Sequence, residues 1–284
     1  MKQMDINILV TGAGGYIGRH VVTALLDAGA NVTATDIVVD EINPRAKLVQ
    51  MDIFNGDPNI FQRLGCPDVC LHMAWRDGFI HNSPLHMSCL SSHYEFIWNM
   101  VSNGLKHLAV MGTMHEVGYY EGAIDQNTPC NPVSLYGIAK DALRRSVFCL
   151  LKDKDVTLQW LRAYYIYGDD QKNNSIFAKI LQAEARGDEF FPFTSGINKY
   201  DFIHVTDLAH QLAAAVLQRA IDGIINCCTG NPISLAEQVE KFIHDHDLKI
   251  RLQYGAFQDR PYDSPAVWGN ADKIKKITNT RDFT

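Results

Sequence analysis

Tyr136-Gly-Ile-Ala-Lys140 sets a phenol and an ammonium four residues apart, on one face of any helix that contains them. A phenol with an ordinary pKa of about 10 needs a nearby cation to exchange protons near neutral pH, and Lys140 is placed to be that cation. Thr113 stands 23 residues before Tyr136, just past the apolar run Leu108-Ala-Val-Met111. Its hydroxyl serves either as a turn cap or as a partner for the substrate oxygen that Tyr136 protonates. The three side chains suit proton transfer at oxygen, and nothing in their spacing calls for a metal.

A second group handles an anion. Thr11-Gly12-Ala-Gly-Gly15-Tyr16-Ile17-Gly18 follows the apolar run Ile6 to Val10 and opens a segment with Val21, Val22, Leu25 and Leu26 on one helical face. That is strand, glycine turn, helix, the arrangement that lets a pyrophosphate sit on helix N–H groups. Asp36 comes 24 positions after Gly12, at the end of the next strand-like run, where a carboxylate accepts hydrogen bonds from ribose hydroxyls and repels a 2′-phosphate. NAD is therefore expected over NADP, with Arg19 and Arg45 the cations that an NADP phosphate would use. Asp52 and Ile53, after a third apolar stretch, are expected at the adenine.

These residues need a scaffold. Runs at Asn31 to Ile37, Val69 to Ala74, Leu108 to Met111 and Thr157 to Ala163 read as strands separated by helical segments, the longest from Pro132 to about Lys152. Alternation of this kind predicts an α/β fold, a Rossmann-type doubly wound parallel sheet with helices on both faces. Further helices are expected after Thr206 and after Ser234, whose spacing to Glu237 is that of a capping box. Residues 165–200 and 227–284 fit the alternation less well. They are expected as a smaller C-terminal substrate-binding lobe beside a Rossmann domain of 1–164, to which 201–226 return.

Composition limits the partners. The 284 residues are 46% apolar and 20% charged, with 26 Lys plus Arg against 32 Asp plus Glu, a net charge of −6. A broad basic surface for nucleic acid is missing from that balance, and Ile8-Leu-Val10 is far too short to cross a bilayer, so neither nucleic acid nor membrane is an expected partner. The seven cysteines include no C-x-x-C pair and are expected as free buried thiols in a cytoplasmic protein.

The motifs Thr11 to Gly18, Asp36, Leu71-His-Met73-Ala74, Met111-Gly-Thr113, Tyr136-x-x-x-Lys140 and Tyr200-Asp-Phe-Ile-His-Val-Thr-Asp207 resemble, in order and spacing, the extended short-chain dehydrogenase/reductases that act on nucleotide sugars. The resemblance spans nearly the whole chain. It implies NAD bound by Gly12, Gly15, Tyr16, Ile17, Gly18, Asp36, Asp52, Ile53, Met73, Ala74, Tyr136 and Lys140, catalysis by Thr113, Tyr136 and Lys140, and a homodimer to which the long helix after Tyr136 contributes. Arg76 and His81, in the loop after Ala74, are expected to line the sugar pocket with Thr113. The resemblance adds Asn174 and Arg260 as contacts to the sugar nucleotide, Arg260 through the diphosphate.

Departures from the family pattern narrow the reaction. Dehydratases carry an Asp-Glu pair directly after the threonine; here Met114-His115 stand there and Glu116 comes one later. Tyr200 replaces an arginine, a helix asparagine has no match near Cys89 to Ser92, and the length is closer to the sugar reductases than to the epimerases. The leading expectation is NAD(P)-dependent reduction of a 4-keto-6-deoxyhexose on a nucleoside diphosphate. A nucleotide-sugar 4-epimerase using the same residues is the alternative, and a non-catalytic NAD-binding regulator is the third reading.

Overall fold

The computed structural model describes residues 6–168, 175–259 and 263–279. Seven parallel strands form its central sheet: β1 (Asn7–Thr11), β2 (Asn31–Asp36), β3 (Lys47–Gln50), β4 (Val69–His72), β5 (His107–Thr113), β6 (Thr157–Ala163) and β7 (Gly223–Cys227). Their order across the sheet is β7-β6-β5-β4-β1-β2-β3. The chain runs outward from β1 in one direction and then restarts from β4 in the other. The crevice at the carboxyl ends of β1 and β4 is therefore where ligands bind in such sheets.

Strand composition follows from burial on both faces. In β1, Ile8 and Val10 belong to one core and Leu9 to the other, all three with no exposed surface, so an unbroken apolar run replaces the usual alternation. The first core lies under helices α1 (Tyr16–Asp27) and α4 (Val205–Val216), which pack on each other. The second lies under α2 (Leu90–Ser102) and α3 (Leu135–Leu151). Val21, Val22 and Leu25 are each fully buried on the inner face of α1, worth about 2 kcal/mol apiece.

A smaller layer sits beyond the carboxyl ends. Its four strands run in the order Ile233–Ser234, Lys199–Tyr200, Ala266–Gly269, Gly122–Ile124. Two further parallel pairs join Tyr165–Tyr167 to Phe202–His204 and Phe190–Pro192 to Arg251–Gln253. Two segments cross the boundary expected between 1–164 and the later lobe. Residues 122–124 pair with Ala266–Gly269, where the Ile124 carbonyl accepts from Asn270 N and Asn226 Nδ2, each at 2.8 Å. Helix α5 (Asp272–Asn279) returns to pack on α4 and β7, because buried Ile274 and Ile277 make one apolar face.

Asp201 ties the two layers together. Fully buried, its carboxylate accepts hydrogen bonds from Thr229 N at 2.9 Å, Thr229 Oγ1 at 2.6 Å, Gly230 N at 2.8 Å and Gly269 N at 3.2 Å. All seven cysteines are free, but only Cys70, Cys227 and Cys228 are buried; Cys66 and Cys149 are exposed, against the expectation of buried thiols. Among the described residues no helix is long and apolar enough to cross a membrane.

Candidate active site

The glycine turn is shaped by close approach. Gly12 adopts φ +68°, and a Cβ there would come within 2.6 Å of Ala74 N; a Cβ on Gly18 would come within 2.2 Å of the Gly12 carbonyl. Helix α1 starts at Tyr16 with Gly15 at its N-cap, no side-chain cap and no acidic residue in its first turn. Its N–H groups and the positive end of its dipole are thus left to an incoming anion. Asp36 closes the turn: Gly14 N donates to Oδ2 at 2.9 Å and Ile37 N to Oδ1 at 2.7 Å. Arg19 pairs with Glu41 and Arg45 with Asp27, so the two cations considered for NADP are held in other ion pairs.

Every described residue expected at the site lines one cavity of about 1680 Å³: Gly12, Gly15, Tyr16, Ile17, Gly18, Asp36, Asp52, Ile53, Met73, Ala74, Arg76, His81, Thr113, Tyr136 and Lys140. A single drug-sized ligand fills up to about 1000 Å³, so there is room here for a dinucleotide and a second molecule. The cradle, the uncapped helix and the Asp36 carboxylate fit NAD. Arg76 lies with a guanidinium nitrogen 3.8 Å from Asp52 Oδ2, which places it beside the residue expected at adenine. Asn174 and Arg260 lie outside the described residues.

Thr113 ends β5 and Tyr136 lies in the first turn of α3, whose N-cap Ser134 accepts from Gly137 N at 3.2 Å. The Tyr136 hydroxyl hydrogen-bonds the Thr113 side chain. Burial pushes the phenol up from its ordinary value, the Thr113 bond lowers it and Glu116 raises it. Tyr136 therefore holds its proton at neutral pH. Thr113 also caps the short helix Met114–Glu116, accepting from His115 N at 3.3 Å, so the hydroxyl that meets Tyr136 is also the turn cap.

Lys140 meets a strand carbonyl and an indole. Its Nζ donates to the Met111 carbonyl at 2.7 Å and lies 3.8 Å from the centroid of the Trp75 ring. Burial pulls its pKa down to about 7, with Glu116 opposing. The strand carbonyl and the indole engage the ammonium from two sides.

Glu116 is withdrawn from the chemistry. With no exposed surface and no place in the cavity wall, it accepts from Thr113 N at 2.7 Å and Trp160 Nε1 at 2.9 Å, and pairs with buried Arg162 at 3.4 Å. Glu116→Gln keeps the shape but removes the charge that Arg162 faces. A loss of roughly 2 kcal/mol is expected, read as a lower midpoint in urea unfolding at unchanged slope. An unchanged midpoint would show that the pair contributes nothing.

Imidazoles surround Tyr136. The His81 ring stacks on it with centroids 5.6 Å apart, His115 stands edge-on to His81 at 4.5 Å, and His86 is 5.2 Å from the phenol ring. Among the described residues no group of three or more His, Cys, Asp or Glu side chains is disposed to hold a metal. His107 lies at the opposite end of β5, bonded to Gln159, and half-buried His204 caps α4 outside the cavity wall, so neither of these reaches the site. Sequence reasoning placed the loop from Trp75 to His81 at the sugar pocket but gave Trp75 no role of its own, and it missed His86, His93 and the Tyr200 ring, 4.3 Å from Tyr165 in the cavity wall. An aromatic residue directly after the Leu71-His-Met-Ala74 run was the available signal for Trp75.

A model described as the NAD dependent epimerase/dehydratase family matches residues 8–228, and the chain belongs to that family. It is similar to a dTDP-6-deoxy-L-talose 4-dehydrogenase (NAD(+)) of Aggregatibacter actinomycetemcomitans, 46% identical over 274 residues that cover 93% of this chain and 99% of the relative. A putative UDP-arabinose 4-epimerase 4 of Arabidopsis thaliana is 26% identical over 326 residues, covering 98% and 73%. Among solved structures, MoeE5 in complex with UDP-glucuronic acid and NAD superposes with a TM-score of 0.80 at 23% identity, over 96% of this chain and 92% of that one. The UDP-N-acetylglucosamine 4-epimerase from Methanobrevibacter ruminantium M1 gives 0.82 at 20%, covering 100% and 97%. These two likenesses establish the shared fold.

Proposed function

We propose that this protein interconverts the ketone and alcohol at C4 of a 6-deoxyhexose carried on a nucleoside diphosphate, with NAD as its cofactor. The observation that carries the reading is Tyr136, hydrogen-bonded to Thr113, in the same cavity as the glycine cradle and Asp36. The relative that is 46% identical is named for oxidation at C4 of such a sugar, the same conversion in the opposite direction.

Reduction of a ketone adds a hydride to carbon and a proton to oxygen. NADH, held by the glycine cradle and Asp36, would supply the hydride. Tyr136 donates its proton to the C4 oxygen while Thr113 holds that oxygen in line, and Lys140 carries the positive charge that steadies the developing anion. Withdrawal of Glu116 behind Arg162 disfavours dehydration. The smaller layer supplies the outer wall for the sugar nucleotide, with Tyr200 and Phe202 lining the cavity. The reading includes a homodimer, for which Trp98 on α2 and Ile138 on α3 offer exposed apolar surface.

The test is loss of reduced-nicotinamide absorbance on mixing the protein with a 4-keto-6-deoxy nucleotide sugar and NADH. Consumption that depends on Tyr136 supports the reductase. Interconversion of nucleotide hexoses without added cofactor, and no NADH loss, would move the assignment to a 4-epimerase. Cofactor choice has its own test: Asp36→Ala raises KM for NADH about tenfold and narrows its advantage over NADPH, because the carboxylate both binds ribose and repels phosphate. Equal discrimination in the variant would remove Asp36 from that role.

A further inference from the structure

Trp75 is held on three sides. One face stacks on His93 with centroids 4.4 Å apart and planes at 21°, its Nε1 donates to His86 Nδ1 at 3.1 Å, and its ring lies 3.8 Å from Lys140 Nζ. Its supports are themselves fixed. His86 Nε2 donates to the Ile80 carbonyl at 2.9 Å. Thr11 Oγ1 accepts from Met73 N and Ala74 N, so its proton goes to His72 Nδ1 at 2.9 Å, and His72 Nε2 then donates to His93 Nδ1 at 2.9 Å. A chain of hydrogen bonds thus runs from the end of β1, beside the glycine turn, to the ring that backs Trp75.

We propose that Trp75 is a positioning residue for Lys140, its indole face holding the ammonium charged and aimed into the cavity. The proposal deepens the functional reading above and rests on it for the importance of Lys140. An ammonium removed from water keeps its proton only where other groups replace hydration. Met111 O gives one hydrogen bond, and the negative face of the indole supplies attraction from a second side at a cost in neither charge nor hydration. The other titratable groups around Lys140 are Glu116, which favours its charge, and His72 and His93, which are held neutral by burial. Tyr136 stands edge-on to the indole at 6.1 Å, so the same ring borders both catalytic side chains.

The proposal is read directly on the lysine. Protein labelled with 13C at lysine Cε gives a Lys140 signal assigned by its loss in Lys140→Met. The attached protons are expected upfield of every other lysine, shielded by the indole ring. In Trp75→Leu they return to the ordinary range and the titration midpoint falls by about one pH unit, roughly a tenfold change; Trp75→Phe falls between. The high-pH limb of kcat/KM moves by the same amount, whereas a purely structural role lowers activity evenly across pH. A Lys140 signal at the ordinary position, or a midpoint unmoved in Trp75→Leu, overturns the proposal. If Trp75→Leu does not fold, stepwise fluorination of the indole at position 75 decides: the midpoint falls with each fluorine, or stays and the proposal fails. The lysine signal needs no substrate, so a shielded Lys140 in a protein that turns over no 4-keto sugar would sink the functional reading alone.

Discussion

Tyr136→Phe lowers kcat for ketone reduction about a thousandfold while NADH affinity stays within about twofold. The aromatic ring that meets His81 and His86 is kept, so the wall of the cavity survives and only the hydroxyl is lost. That hydroxyl, hydrogen-bonded to Thr113, is the group the proposed reaction uses to protonate the carbonyl oxygen. A proton delivered only in the transition state affects kcat and kcat/KM together. Steady-state kinetics with NADH and a 4-keto sugar, beside fluorescence titration of NADH alone, separate the two quantities. A fall in NADH affinity matching the fall in kcat would place Tyr136 in cofactor binding, and unchanged kcat would rule it out as the proton donor.

The second large effect is acid destabilisation. Burial holds His72 at a pKa of about 3, His93 at about 2, and His107 and His115 at about 4, with neighbouring cationic or imidazole groups adding to the depression and the Gln159 bond opposing it at His107. In the unfolded chain each imidazole titrates near 6.5. Folding is therefore fully supported by these groups above that value, and the support is lost as pH falls and the unfolded chain takes up protons that the folded one refuses. At about pH 5 each histidine withdraws up to ~2 kcal/mol, and the four together several kcal/mol once the His72–His93 coupling is allowed for. Thermal melts at about pH 7.5 and about pH 5 are expected to differ by roughly ten degrees or more, and His107→Phe to shrink that difference. A melting temperature flat across this range would mean the imidazoles are not kept neutral.

The parts of the site legible in the sequence were those whose chemistry is local. Gly12 to Gly18, and Tyr136 with Lys140, are each set by spacing within a single turn or helix, and Asp36 by the length of one strand–helix–strand unit. Thr113 was legible because a strand end marks where such a sheet places its ligands. Trp75, His86 and His93 were not, since their contacts join a loop to two helices and no periodicity links positions 75, 86 and 93. The direction of the Lys140 ammonium was hidden for the same reason: i and i+4 spacing fixes the face of a helix but not which of several acceptors a long side chain chooses. Strand Gly122–Ile124 is three residues long and finds its partner near the other end of the chain, so its own residues carry no sign of it.

That late partnership bears on how the polypeptide is made. Gly122 is synthesised long before Val267, its neighbour in the small sheet, and the underside of α4 stays bare until Ile274 and Ile277 emerge. Pairings between distant parts of a chain form slowly and leave edges open meanwhile. A ribosome that stalls near residue 260 would carry a nascent protein with its glycine turn, Tyr136 and Lys140 already present, yet with an unpaired strand edge and an uncovered helix face. Such an intermediate exposes the kind of surface that invites aggregation, so residues 266–279 shield a fold whose chemistry lies elsewhere.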